Sequence, residues 1–232
     1  MKRCLFLVEG AFDRQRLAAL KVLFDPNKLE IIPFGTDILT SKGYAQNAKR
    51  EIENLLAKDK LFKLSDFDAI VQVCDTDGCF IDDALVLEGA GHILYEGTHI
   101  KAQDTDSIRD AHRYKTENIR SLLSENFIRL YYNSTNIDHA FDGKQNPSKA
   151  FKRRAAIQMY QSTRCHPEKL ISILFECEKS GSSTFEESWE FIQRGSNSLL
   201  PTSNLAFFLL DFYEELTEEA KGIVDECKAS KR

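Results

Sequence analysis

Three carboxylates in this chain stand where apolar runs end. Glu9 follows Cys4–Val8, while Asp75 and Asp77 follow Asp68–Cys74 and precede Gly78. Short, continuous apolar runs bounded by turn residues read as buried strands, and Gly10 and Gly78 supply the turns. If both strands run parallel in one sheet, the three acids arrive at the same edge. Like charges packed together raise one another's pKa and repel, so such a cluster is costly unless a cation neutralises it. Hard oxygen donors suit Mg²⁺ or Mn²⁺, ions that keep several waters and leave positions open for phosphate oxygens. The chemistry implied is the handling of a phosphate group.

The elements between the acids provide for such a sheet. Phe12 to Phe24 has helical apolar spacing and ends at Asp25-Pro26-Asn27, and Leu29 to Phe34 reads as a second strand. After turn-like residues around Gly35 and Lys42-Gly43, Ala45 to Leu56 is helical, and Asp68 to Cys74 is the third strand. Strand, helix, strand, helix, strand implies an α/β fold with a parallel sheet flanked by helices, whose ligands gather at the carboxyl ends of the strands. Further on, His92 to Tyr95 reads as a short strand, Thr116 to Leu123 as a helix and Phe127 to Tyr132 as another strand. The division expected is an α/β domain over 1–145 and a mainly helical C-terminal portion over 146–232. That portion has helices at Ser148 to Gln161, Pro167 to Lys179, Thr184 to Gln193, Leu205 to Leu216 and a charged last one to about Ala229, with a polar loop at Ser196 to Asn204. Phe207, Phe208, Phe212 and Tyr213 read as core residues rather than a base-stacking platform.

Composition narrows the class. With 232 residues, 42% of them hydrophobic, and 11 Gly and 5 Pro, the chain buries an ordinary core. No apolar stretch reaches the roughly 18 residues of a membrane span, and the six scattered cysteines fit reduced thiols in a cytosol. The expected setting is cytoplasmic, without a membrane partner. A net charge of −5 excludes a surface that is basic overall, so nucleic acid must be met by a local patch or through metal ions. Lys144, Lys149, Lys152, Arg153 and Arg154 form one basic cluster, and Arg109, His112, Arg113 and Lys115 a weaker one. Either run alone also reads as a solvated helix face.

Taken together, Glu9-Gly10-Ala11-Phe12-Asp13 and, about 65 residues later, Asp75-Thr76-Asp77-Gly78 resemble the paired motifs of the Toprim domain. That domain is shared by bacterial primases, topoisomerases, small ribosomal-RNA-maturing ribonucleases and OLD-type nucleases. The resemblance covers about the first third of the chain. It implies metal-dependent hydrolysis of phosphodiester bonds in DNA or RNA, with Asp75 and Asp77 holding Mg²⁺ (or Mn²⁺) and Glu9 as general base or second metal ligand. Asp13 would be a metal-shell residue, and its bland alternative is a first-turn acid that favours the helix dipole. Asn133 to His139 is loosely similar to the Ser-Asn-Pro-x-Phe-Glu stretch of Toprim-like defence nucleases, which makes Asp138 an accessory ligand and antiphage defence the implied setting. Lys149, Lys152, Arg153 and Arg154 would hold the nucleic-acid backbone without reading sequence. A topoisomerase needs a nucleophilic tyrosine on a further large domain, and a primase needs a zinc-binding cysteine cluster, neither of which this reading accommodates.

Two other classes stand beside the nuclease. Val-Cys-Asp-Thr-Asp-Gly also resembles the Asp-x-Asp motif of haloacid-dehalogenase-type phosphatases, although that motif follows a first strand and here it follows a third. A non-catalytic Toprim-like module binding nucleic acid, nucleotide or protein is the other, and a chain whose acids do not converge on one metal would favour it. His92 and His139 are expected to be structural, Cys74 and Cys79 lack the further ligands of a zinc site, and Asp82-Asp83 and Asp104-Asp106 are either extra ligands or solubilising loops. A homodimer or an activating protein partner remains open.

Overall fold

The computed structural model describes residues 1–36, 39, 47–89 and 91–230. The turn at Lys42-Gly43 and the start of the second helix at Ala45 lie outside the described residues. Four strands, β1 (Lys2–Val8), β2 (Leu29–Gly35), β3 (Ala69–Asp75) and β7 (Arg129–Asn133), form a parallel sheet in the order β2-β1-β3-β7. β1 is flanked on both sides, and its residues Cys4 to Val8 are almost entirely buried, which is why its sequence is continuously apolar rather than alternating. Pro33 sits opposite Phe6 on β2, a strand paired only with β1, where its missing N–H costs no ladder bond. Register aligns the carboxyl ends: Val8 faces Val73, and Asp75 faces Asn133.

Helices cover this sheet, and three of them differ from expectation; the one expected over Leu205 to Leu216 ends at Asp211 and is followed by a 3₁₀ turn, Tyr213–Glu215. The first helix stops early: α1 (Ala11–Leu17) gives way to a 3₁₀ segment, Ala18–Leu23. The tighter winding buries Ala19, Leu20 and Leu23 and brings the Leu23 carbonyl to the Thr217 N–H, beside a bridge between Phe24 and Leu216. α2 (Ala48–Asp59) packs Ile52 and Leu56 inward. α3 (Thr105–Leu123) is more than twice its expected length. Its inward stripe, His112, Lys115, Asn118, Ile119 and Leu122, is polar in its first half, so no apolar period announces it. Asp104 caps α3 by accepting from Ser107 N–H at 3.0 Å, and Asp82 accepts from Ala84 N–H at 2.8 Å, so the expected loop acids include two caps.

Between β3 and α3 the chain builds a second, three-stranded sheet from β4 (Val86–Glu88), β5 (Leu94–Tyr95) and β6 (Ile100–Ala102), over a small core of Ile81, Val86, Ile100 and Leu199. β7 is followed by α4 (Ile137–Asp142), α5 (Lys149–Thr163), α6 (Pro167–Cys177), α7 (Phe185–Ile192), α8 (Ala206–Asp211) and α9 (Glu218–Ser230). These helices share one hydrophobic core with the sheet: Phe208 lies 5.2 Å from Phe6, and Trp189 lies 4.9 Å from Tyr132, ring centre to ring centre. In the polar loop before α8, Ser198, Thr202, Ser203 and Asn204 are buried. Ser203 bridges Asn133, and Asn204 accepts from Tyr132 N–H at 2.7 Å, so the loop closes the outer edge of β7 with hydrogen bonds and needs polar side chains to do so.

Candidate functional site

The carboxyl ends of β1 and β3 open into a cleft of about 750 Å³ that contains Glu9, Asp13, Asp75 and Asp77. Glu9 lies one residue beyond β1 and turns toward β3, where it accepts the Asp75 N–H at 3.1 Å. Asp13 reaches back over Gly10, and a side chain at Gly10 would meet its carboxylate at 2.6 Å and push it aside. The Gly10 backbone also hydrogen-bonds Asp13. Asp75 accepts from the Asn133 side chain at 3.3 Å across the β3–β7 register. Asp77 stands at a φ of 49°, a left-handed position that aspartate tolerates, and its N–H is held by the Thr135 carbonyl at 2.9 Å. Gly78 follows at a φ of 69°, packed so closely that a Cβ would meet Leu199 and Ile100 within 3 Å.

A lysine sits among these acids. Lys115, from the polar stripe of α3, is 3% exposed and places its Nζ 2.6 Å from Asp77 Oδ2 and 3.3 Å from Glu9 Oε1. Burial opposes its charge, but the Asp77 and Glu9 carboxylates outweigh burial and hold the ammonium well above the usual lysine range. One cation does not balance the site. Burial first, and then Glu9, Asp13 and Asp77, push Asp75 well above the usual carboxylate range, with Lys115 opposing. Burial raises Asp13 as well, Lys152 pulls it back, and Asp138 adds to the rise.

The opposite wall comes from the small sheet and from the start of α5. His92, Ile93 and Tyr95 face the acids from the β5 side. Asn146 staples that wall, accepting the Tyr95 N–H at 2.9 Å and donating to its carbonyl at 2.7 Å. Ser148, the α5 cap, and Lys152 complete the rim. Burial and the neighbouring Asp77 raise the Tyr95 phenol, which is neutral here.

Several expected residues fall elsewhere. Asp138 is not on the cleft wall: it is 2% exposed and paired at 2.8 Å with Arg16, which also takes Asp142. Its position behind Asp13 makes it an electrostatic neighbour of the site rather than a ligand in it. Of the basic cluster, Lys152 lines the cleft, Lys149 and Arg153 are exposed, and Arg154 lines a different cleft beyond α5. The second basic cluster is not a patch: Lys115 and His112 are buried, Arg109 binds the Val86 carbonyl and Asp106, and Arg113 pairs with Asp110. His139 is buried against Thr135, and burial lowers it to about 4, which leaves it neutral and structural. Cys79, raised by burial to about 12, and Cys74 behave as packed thiols. The residues missed by sequence are Lys115 as a site residue, together with Tyr95, Asn136 and Asn146. For Lys115 the one signal lies in the apolar later half of α3, since the three- and four-residue spacing of Leu122 and Ile119 carried one step back reaches position 115.

The donor set of Glu9, Asp13, Asp75 and Asp77 is all hard oxygen with an excess of negative charge, which fits a Mg²⁺ or Mn²⁺ ion by chemistry. As arranged, with Lys115 between Glu9 and Asp77, no three His, Cys, Asp or Glu side chains among the described residues stand at metal-holding spacing. No helix among the described residues is long and apolar enough to cross a membrane. The chain matches no protein-family model, no curated protein and no solved structure, so its resemblance to the Toprim domain rests on the residues named above.

Proposed function

We propose that the acidic cleft is the active site of a metal-dependent, Toprim-type phosphodiesterase acting on DNA or RNA. The observation that carries this reading is the convergence of Glu9, Asp13, Asp75 and Asp77 from β1, α1 and β3 on one open cleft, four carboxylates against two lysines, Lys115 and Lys152. Asp75, Asp77 and Glu9 would hold the metal, with Asp13 beside them. Bound there, Mg²⁺ or Mn²⁺ supplies Lewis-acid polarisation of a phosphate and lowers the pKa of an attacking water. Glu9, at the water-accessible edge, is placed to take a proton. Lys152 offers a positive charge to a phosphate from the facing rim, and Lys115 screens the carboxylates that an incoming phosphate must approach. By the same resemblance the role is antiphage defence, and the scattered cysteines suit the cytoplasm.

One observation favours a second reading, a non-catalytic Toprim-like binding module. The Lys115 ammonium already occupies the space between Glu9 and Asp77. The experiment that separates the two is cleavage of labelled single- and double-stranded DNA and RNA, tRNA included, with Mg²⁺ or Mn²⁺, by the native chain, Glu9→Ala and Asp75→Ala. Metal-dependent cutting abolished in both variants supports the phosphodiesterase; cutting that survives in them, or none with either metal, favours the binding module.

A further inference from the structure

Beyond α5 from the carboxylates lies a second cleft, of about 820 Å³, between α1, α4, α5 and α6. α5 is the ridge between the two. Ser148 and Lys152 face the acids, whereas Phe151, Arg154, Ala155, Gln158 and Ser162 face the second cleft, a spacing of three and four residues that marks one helical stripe. The lining combines the phenyl groups of Phe141 and Phe151 and the Met159 thioether with Arg154, Gln158 and Asp142.

The floor is preformed. Arg16 is fixed by Asp138 at 2.8 Å and by Asp142, lies 5.5 Å from the Phe141 ring centre, and donates from Nε toward the Met159 sulfur at 3.3 Å. A wholly apolar ligand would strip water from Arg154, Gln158 and Asp142 without replacing it, and a simple anion would leave the Phe141 and Phe151 rings without a partner. A nucleobase meets both conditions, with a π-face for phenyl rings and an edge of donors and acceptors for the Gln158 amide and the Asp142 carboxylate, while Arg154 is left to a phosphate of the strand. The ridge suits the strand that carries the base. Lys149, Lys152, Arg153 and Arg154 stand within its first two turns, none has a carboxylate at ion-pair distance among the described residues, and the first turn contains no acid. α4 ties the clefts together, since its cap Asn136 lines the first and Phe141 the second.

We infer that the second cleft seats an unpaired nucleobase of a single-stranded nucleic acid that crosses α5 with a neighbouring phosphate in the acidic cleft. A base within a duplex is stacked and paired on the faces and edge this cleft would engage, so duplex is excluded. The inference rests on the phosphodiesterase reading and names its substrate class.

The test is fluorescence anisotropy with labelled single-stranded DNA, single-stranded RNA and duplex DNA in EDTA, using the native chain, Phe151→Ala and the exposed-site variant Arg154→Gln. Expected are tighter binding of single strands than of duplex, a roughly ten-fold loss with Phe151→Ala, and about three-fold with Arg154→Gln accompanied by a shallower salt dependence. Repeating the titrations on a strand of abasic sites should erase the Phe151→Ala effect and keep that of Arg154→Gln, which general unfolding would not do. Equal affinity of all three proteins, preference for duplex, a Phe151 effect that persists without bases, or no binding of single strands by the native chain overturns the inference. Hydrolysis of bis(p-nitrophenyl) phosphate by the native chain with Mn²⁺ then shows whether the phosphodiesterase reading survives that failure or falls with it.

Discussion

Two buried cations in this protein are each surrounded by acids, and they do opposite things. Arg16 holds Asp138 and Asp142, both from α4 and four residues apart, and its planar fork engages the two carboxylates together. Lys115 is equally buried, but it meets Glu9 and Asp77 from the ends of two different strands and makes no ion pair with Asp75 or Asp13 among the described residues. The first group is a knot that ties α1 to α4. The second leaves carboxylates in excess at an open cleft. A buried ion pair by itself therefore does not mark a functional site; the surplus of one charge facing solvent is what the proposed site rests on.

Breaking the Arg16 knot should have the largest effect. Arg16→Ala strands Asp138 with no partner in the interior and is expected to cost about 3–5 kcal/mol in denaturant unfolding, independent of divalent cations. Lys115→Gln should cost less, about 2 kcal/mol, because Glu9 and Asp77 keep contact with water, and Mg²⁺ should recover more of the loss in this variant than in the native chain. If Mg²⁺ stabilises both proteins alike, the surplus-charge account of the cleft is wrong. Asn136→Ala removes the α4 cap that accepts the His139 N–H at 2.9 Å and touches both regions; about 1 kcal/mol is expected in the same unfolding assay.

The smallest effect carries the opposite sign. Asp75 is raised in the folded state, so the native protein binds this proton more tightly than the unfolded chain, and stability falls as pH rises from the unfolded carboxylate value through the raised native one. Asp75→Asn should remove that fall and slightly stabilise the protein at neutral pH in EDTA. His139, lowered to about 4, works the other way: stability declines as pH drops from about 6.5 through about 4, whichever residue stands at position 75. Melting curves between pH 4 and 8 for native and Asp75→Asn protein check both signs.

The parallel sheet and the placement of Glu9, Asp75 and Asp77 were legible because β1 and β3 are buried on both faces, so their apolar runs end abruptly where the chain reaches solvent. What escaped the sequence was polar and inward-facing. The front half of α3 hides Lys115 and His112 under what reads as surface charge, and the Ser196 to Asn204 loop reads as solvated although Ser198 is buried and Ser203 and Asn204 are buried against β7. Asp138 was misplaced for a related reason: its partner Arg16 is 122 residues away, a pairing that no local pattern announces.

The central claim, that the surplus carboxylates take a divalent cation, is tested most directly by Mn²⁺ binding to the native chain, Glu9→Gln and Asp75→Asn, followed by electron paramagnetic resonance of the free ion. The account predicts saturable binding by the native protein and its loss or strong weakening in both variants, with Asp138→Asn retaining it. Binding that is absent from the native chain, or that survives the loss of Asp75, would contradict it.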